Sequence, residues 1–133
     1  MDFQTYYLTL EQILVIHQDQ IERYGGRHGL RDLSLLESAV FRPQSSFSEK
    51  DLYKTIFDKT AALMYSLILN HPFIDGNKRT GIVSGMVFLE LNGFRLEVST
   101  KELTKIAFKI ESKELNLKNV VEWLKSNSKQ IPC

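Results

Sequence analysis

The chain has 133 residues, 17 Lys and Arg against 16 Asp and Glu, a net charge of +1 and a 43% hydrophobic share. This length suits one domain that folds without disulfides, the composition excludes a disordered chain, and the balanced charge gives no general pull toward nucleic acid or anionic membrane. The one cysteine, Cys133, excludes an internal disulfide and a cysteine-built zinc site and suits a reducing compartment. The longest apolar run, 61–69, is about half a membrane span, and the polar start Met1-Asp2-Phe3-Gln4 is no secretion signal, so the expectation is a cytoplasmic protein with no membrane part.

Proline occurs only at Pro43, Pro72 and Pro132, which leaves most of the chain free to be helical. Leu10, Ile13, Leu14, His17, Ile21 and Tyr24 recur at helical spacing and predict a first helix from about Leu10 to Tyr24. Thr9 and Gln12 form a capping box at its start, and Gly25-Gly26 stop it. A loop over 27–33 follows. Ser34 with Glu37 reads as a second capping box, opening a short helix through Leu36, Ala39 and Val40 that ends before Pro43. After a polar loop over 42–47, Ser48 with Asp51 predicts the start of a long helix ending near Asn70. Its second half is apolar nearly all round, which marks the buried centre of the fold.

His71-Pro72 breaks that helix, because the residue before a proline is pushed out of the helical region. Another helix begins near Asn77 and runs to about Leu91, with Asn92-Gly93 as its stop. Gly81 and Gly85 lie four apart on one face of it and let another helix pack close. Phe94, Leu96 and Val98 alternate with polar residues, predicting a short extended piece over 94–98. Ser99 and Glu102 cap a fifth helix carrying Leu103, Ile106, Ala107 and Ile110. A sixth covers 117–125 with Val120, Val121 and Leu124 inward, and the residues after Ser126 read as a loose tail. The expected fold class is all-α: one compact domain over 1–133, a bundle of about six helices.

One polar segment stands apart: His71-Pro72-Phe73-Ile74-Asp75-Gly76-Asn77-Lys78-Arg79-Thr80-Gly81. It lies between the two most apolar helices, where charged groups are costly unless paired or used. Gly76 permits a sharp turn and Asn77 can cap the helix that follows. The first N–H groups of that helix point outward with the positive end of its dipole, a ready anion site. Lys78 and Arg79 add two cations there, where they oppose the dipole and need an anion to justify their placement. A carboxylate beside phosphates, here Asp75, is a common way to hold magnesium. His71 accepts a proton near neutral pH. A base, a metal-binding carboxylate and a phosphate cradle add up to group transfer from a nucleotide to a hydroxyl. There is no Walker-type glycine run, and His71 with Asp75 lack an obvious third ligand for zinc.

His-Pro-Phe-x-Asp-Gly-Asn-Lys-Arg-Thr resembles the signature of the Fic/Doc superfamily in its death-on-curing (Doc) branch. The resemblance extends to Gly29-Leu30-Arg31-Asp32, Leu35-Leu36-Glu37-Ser38-Ala39, Arg42-Pro43-Gln44 and Phe88-Leu89-Glu90-Leu91-Asn92-Gly93-Phe94, and weakens after about Ser99. It implies a compact helical domain in which His71 is the general base. It also implies that Asp75 coordinates Mg2+, Gly76 and Asn77 shape the phosphate cradle, Arg79 binds phosphate, and Phe73 anchors the loop inward. Classical Fic enzymes, which transfer AMP from ATP, have glycine where this chain has Lys78 and arginine where it has Ile82. The Doc branch has the lysine, and its type member transfers the terminal phosphate of ATP to a threonine of elongation factor Tu, stopping translation. The resemblance therefore implies a toxin of a type II toxin–antitoxin pair, with ATP and Mg2+ as cofactors, a cognate antitoxin as partner and no direct nucleic-acid contact. Lys78 is assigned to the phosphate site on the same ground; it fills space and moves charge that a glycine would leave open.

Two other readings stand beside it, an AMP transferase of the Fic type and a non-catalytic helical binding module. Single residues also admit purely structural readings. His71 can simply cap the helix before it, and Asp75 can pair with Arg79. His17 reads as a core histidine, His28 as exposed and Trp123 as packing. Arg42 and Gln44 either line a groove or end a helix, and a partner segment can lie over the groove between the 42–47 loop and the motif.

Overall fold

The computed structural model describes residues 4–132; Cys133 and the first three residues lie outside them, and with them the expectations placed there. Six helices carry the fold: α1 (Leu10–Tyr24), α2 (Leu33–Phe41), α3 (Ile56–Asn70), α4 (Asn77–Leu91), α5 (Thr100–Glu111) and α6 (Leu117–Asn127). A 3-10 turn, Arg42–Gln44, follows α2. Two small antiparallel ribbons complete the chain, β1 (Ser46–Phe47) with β2 (Lys50–Asp51), and β3 (Phe94–Leu96) with β4 (Ser128–Gln130). No helix of the described residues is long and apolar enough to cross a membrane.

Helix α3 is the centre, as its all-round apolar composition requires. One side of it, with Ala61, Met64 and Ile68, packs on Leu89, Ile106, Ile110, Val120 and Leu124 from α4, α5 and α6. The other, with Leu63 and Leu67, packs on Ile13, Leu36, Val40 and Phe73. Helix α4 lies tightly against α3 through its two glycines. A Cβ on Gly81 would sit 2.7 Å from Ile68 Cγ1, and one on Gly85 would collide with the Met64 side chain.

The Thr9–Gln12 capping box of α1 is present, and Ser99 caps α5 as expected. Four local expectations are corrected. Helix α2 starts two residues earlier than a Ser34 cap allows, because the Asp32 carboxylate accepts from Leu35 N and is the stronger cap. Helix α3 starts at Ile56 on a Thr55–Asp58 capping box, not at Ser48. Ser48 and Glu49 instead form the two-residue turn of the β1–β2 ribbon, at φ 52° and 65°. Neither is Gly or Asn, so the turn carries no signature. The tail is not loose: β4 pairs Phe94 with Gln130 and Leu96 with Ser128, and Ile131 N donates to Gly93 O. Finally, Tyr24 points to solvent, so α1 buries Gln20 on that side instead.

Candidate active site

The 71–79 segment is a tight connection between α3 and α4, and it is held from three sides. Below it, Phe73 is buried and stacks flat on His17, ring centroids 3.8 Å apart. His17 Nε2–H donates to the Asp75 carbonyl at 2.8 Å. Burial pushes the His17 pKa down, so the ring is neutral and donates in that tautomer. The core-histidine reading of His17 is right, and the core it belongs to is the floor of the loop.

From within, Asn77 staples the loop. Its Oδ1 accepts from Phe73 N at 2.9 Å and its Nδ2 donates to Phe73 O at 3.0 Å, both bonds buried. The expectation that Asn77 caps α4 is corrected. Gly76 holds the cap position in a left-handed conformation, φ 77°, without a side-chain cap bond. A Cβ there would lie 2.9 Å from Ile21 Cδ1, so glycine is required on both counts. The third support is the 29–32 segment. Arg31 N and Asp32 N donate to Pro72 O at 2.7 and 3.0 Å, and Ile74 N donates to Gly29 O at 3.0 Å.

These supports leave the polar groups at one end of the bundle. His71 ends α3 in a left-handed conformation, its side chain 45% exposed. Asp75 points a carboxylate at backbone donors: Arg27 N to Oδ2 at 3.0 Å and Gly76 N to Oδ1 at 2.9 Å. Those two N–H groups, the Arg27 one first, hold its pKa below the ordinary carboxylate value, and the Arg79 charge adds to this. Asp75 does not form a pair with Arg79. The Arg79 guanidinium donates to the Gly25 and Gln20 carbonyls at 2.7 and 3.3 Å, tying α4 to the end of α1. Gly26 marks how close the two groups come: a Cβ there would lie 2.8 Å from Asp75 Oδ2 and 3.1 Å from Arg79 Nη2.

Lys78 turns toward α5. Its Nζ lies 3.2 Å from both carboxylate oxygens of Glu111 and 4.9 Å from the Phe108 ring centroid. The same carboxylate is 3.8 Å from His71 Nε2. Glu111 is the residue the sequence reading missed. A signal existed: an acid in the last turn of a helix opposes the dipole, as Lys78 does in the first turn of α4. Each supplies the other's missing counter-charge.

The connection thus gathers its polar groups about the start of α4, His71 and Lys78 at the Glu111 carboxylate and Asp75 and Arg79 at the 25–27 turn. The first N–H groups of α4, ahead of Thr80 N, which bonds to Gly76 O, have no intrahelical partner by construction. Beside them a cleft of about 480 Å³ opens between α1, α4 and α5, lined by Lys78, Arg79, Tyr24, Met86, Leu103 and Phe108, among others. The 42–47 segment does not line this cleft. Arg42 donates to Tyr53 Oη and Ser66 Oγ at 2.8 Å each, which is a structural role, and Gln44 is exposed.

Asp75 is placed to take a magnesium ion. Its carboxylate is kept ionised first by two backbone N–H donors, with no ion pair to neutralise it, so its charge stays available to a hard cation that takes its remaining ligands from water and phosphate. No cluster of three His, Cys, Asp or Glu side chains fit to hold a metal occurs among the described residues. The donor set therefore suits magnesium and not a closed all-protein site.

Comparison with known proteins agrees with this geometry. The profile of the Fic/DOC family matches residues 7–89. A protein of Mycolicibacterium smegmatis named Toxin Doc is 45% identical over 73 residues, covering 55% of this chain and 56% of that protein. The chain thus spans about half the length of this relative. A protein of Escherichia phage P1 named Protein kinase doc is 26% identical over 119 residues, covering 90% of this chain and 93% of the phage protein. The matched region runs from before α1 to near the end of α4 and includes the whole 71–79 segment; the chain belongs to the Fic/DOC family.

Proposed function

We propose that the chain is one Doc-type domain over residues 1–133 that transfers the terminal phosphate of ATP to a protein hydroxyl, acting as the toxin of a cytoplasmic toxin–antitoxin pair. The observation that carries this reading is the uncapped N-terminus of α4, led in by a short connection that bears the partly exposed ring of His71 and an ionised Asp75. The names of the two relatives, one a toxin and one a protein kinase, support it. A cognate antitoxin is the expected partner, and elongation factor Tu the expected substrate.

In this reading His71 takes the proton of the target hydroxyl as the hydroxyl oxygen attacks the terminal phosphorus. An oxygen–phosphorus bond forms, the bond from that phosphorus to the bridging oxygen breaks, and ADP leaves with the electron pair. The backbone N–H groups at Asn77 and Lys78 face the phosphates, helped by the helix dipole, and Gly76 makes the turn that leaves them free. Asn77 contributes through its staple, which fixes where those N–H groups point. Arg79, anchored on the α1 carbonyls, adds positive charge beside the cradle, as does Lys78. Asp75 would hold Mg2+, which when bound neutralises phosphate charge.

The test is incorporation of label from ATP carrying it at the alpha or the gamma phosphate, in a bacterial extract with magnesium. Gamma label alone, on a band the size of elongation factor Tu and lost in His71→Ala, supports the reading. Alpha label would make the protein an AMP transferase; Lys78→Gly, which empties that side of the site, is expected to move activity in this direction. No label from either, with undiminished growth inhibition by His71→Ala, would leave a non-catalytic binding module.

A further inference from the structure

We propose that Arg31, forty residues upstream of the base, is the positioning residue for His71; this rests on the reading of His71 as the base. His71 has φ 48° and ψ 55°, a left-handed conformation that glycine or asparagine tolerates and a histidine adopts at a cost. A side chain in that region persists only where its surroundings over-determine it. Here one side chain holds the two carbonyls at the residue itself and just before it. Arg31 Nε donates to the His71 carbonyl at 2.6 Å, and Arg31 Nη2 donates to the Asn70 carbonyl at 2.9 Å.

Those carbonyls are the last of α3, which no intrahelical N–H can reach. The planar guanidinium fork spans both at once, and its charge sits at the negative end of the helix dipole. The Arg31 backbone N–H is also bound, to the Pro72 carbonyl at 2.7 Å. Arg31 therefore binds three consecutive carbonyls, those of Asn70, His71 and Pro72, and so fixes the peptide planes on both sides of the His71 Cα. The direction of the ring follows from those planes. Arg31 is exposed and its recorded bonds go to main-chain carbonyls, so it acts through the backbone. A lysine at this place offers one point charge and cannot hold both carbonyls in a fixed relation.

The experiment uses the full chain as Arg31→Lys and Arg31→Ala, with the unaltered protein and His71→Ala as references. Two readouts are taken: gamma-phosphate transfer at varied ATP, and the NMR signal of the His71 ring, assigned by its loss in His71→Ala. A ring misplaced by about 1 Å costs on the order of a hundredfold in rate, so kcat should fall about ten- to hundredfold in both variants. KM for ATP should stay within about twofold, because the cradle is built from other residues. The His71 ring signal should shift while those of His17 and His28 stay. Guanidinium ion added to Arg31→Ala should restore part of the rate. A His71 signal unmoved in both variants, or kcat unchanged with the parent active, would overturn the proposal. If the parent transfers no phosphate, the reading of His71 as base fails, and the ring signal still decides the role of Arg31. Should Arg31→Ala fail to fold, Arg31→Lys, which keeps the stem and the charge, carries both readouts.

Discussion

The staple made by Asn77 sets a stability change that can be worked out in advance. Asn77→Ala deletes the two bonds to the Phe73 N–H and carbonyl, at 2.9 and 3.0 Å, and leaves both groups buried. A buried backbone group left unpaired costs roughly 1–3 kcal/mol. Asn77 is 8% exposed, so some water can enter and the combined loss should be about 2–4 kcal/mol. For a chain of this size that lowers Tm by roughly 10 °C, measurable by urea and thermal unfolding. Asn77→Asp separates the two bonds. It keeps the acceptor for Phe73 N–H but sets a carboxylate oxygen against the Phe73 carbonyl oxygen. At neutral pH it should be no more stable than Asn77→Ala, and it should recover in acid, where the protonated group donates. Phe73 stands midway between His71 and Asp75, so phosphate transfer should fall further than the unfolded fraction explains. A change within about 0.5 kcal/mol for Asn77→Ala, the range of a neutral surface substitution, would refute the reasoning. So would an Asp variant as stable as the parent at neutral pH.

Glu111→Gln should move Tm by only a few degrees, since the pair it breaks is about one-third exposed on each side. It frees the Lys78 ammonium for phosphate and removes a negative charge, so KM for ATP should fall severalfold in a steady-state assay at low salt. Asp75 has a depressed folded pKa, so its contribution to stability is present above the ordinary carboxylate value and is lost as pH falls through the folded one. Asp75→Asn should therefore flatten the acid side of the stability–pH curve and remove the magnesium dependence of transfer; an unchanged acid limb would contradict the assignment. Gly85→Ala drives a methyl into Met64 and should cost about 1–3 kcal/mol by denaturant unfolding, with Met64→Ala in the same chain restoring room for it.

Local chemistry was enough to determine much of this protein. The apolar spacing of Leu10, Ile13, His17 and Ile21 placed α1 to the residue, and the Thr9 box, Gly25 and Asn92 placed helix ends, because caps and periodicity act within one turn. Gly81 and Gly85 announced the close approach of α4 to its neighbour. The 71–81 segment stood out as the candidate site because its charged residue types are set between two apolar helices. Local signals also misled where two candidates competed. Asp32 beat Ser34 because its carboxylate takes the Leu35 N–H, and Thr55 beat Ser48 because Ser48 is used in the turn of the β1–β2 ribbon. What tertiary structure alone decided are the partners that come from far along the chain. Glu111 reaches Lys78 from 33 residues away, Arg79 ties itself to Gly25 from 54 away, and β4 pairs with β3 at the far end of the chain. Arg31 likewise reaches His71 across 40 residues. None of these pairings has a period or a cap to mark it. They form because packing α1 and α5 against α4, which itself lies on α3, brings helix ends together, and the charges and carbonyls left there satisfy one another.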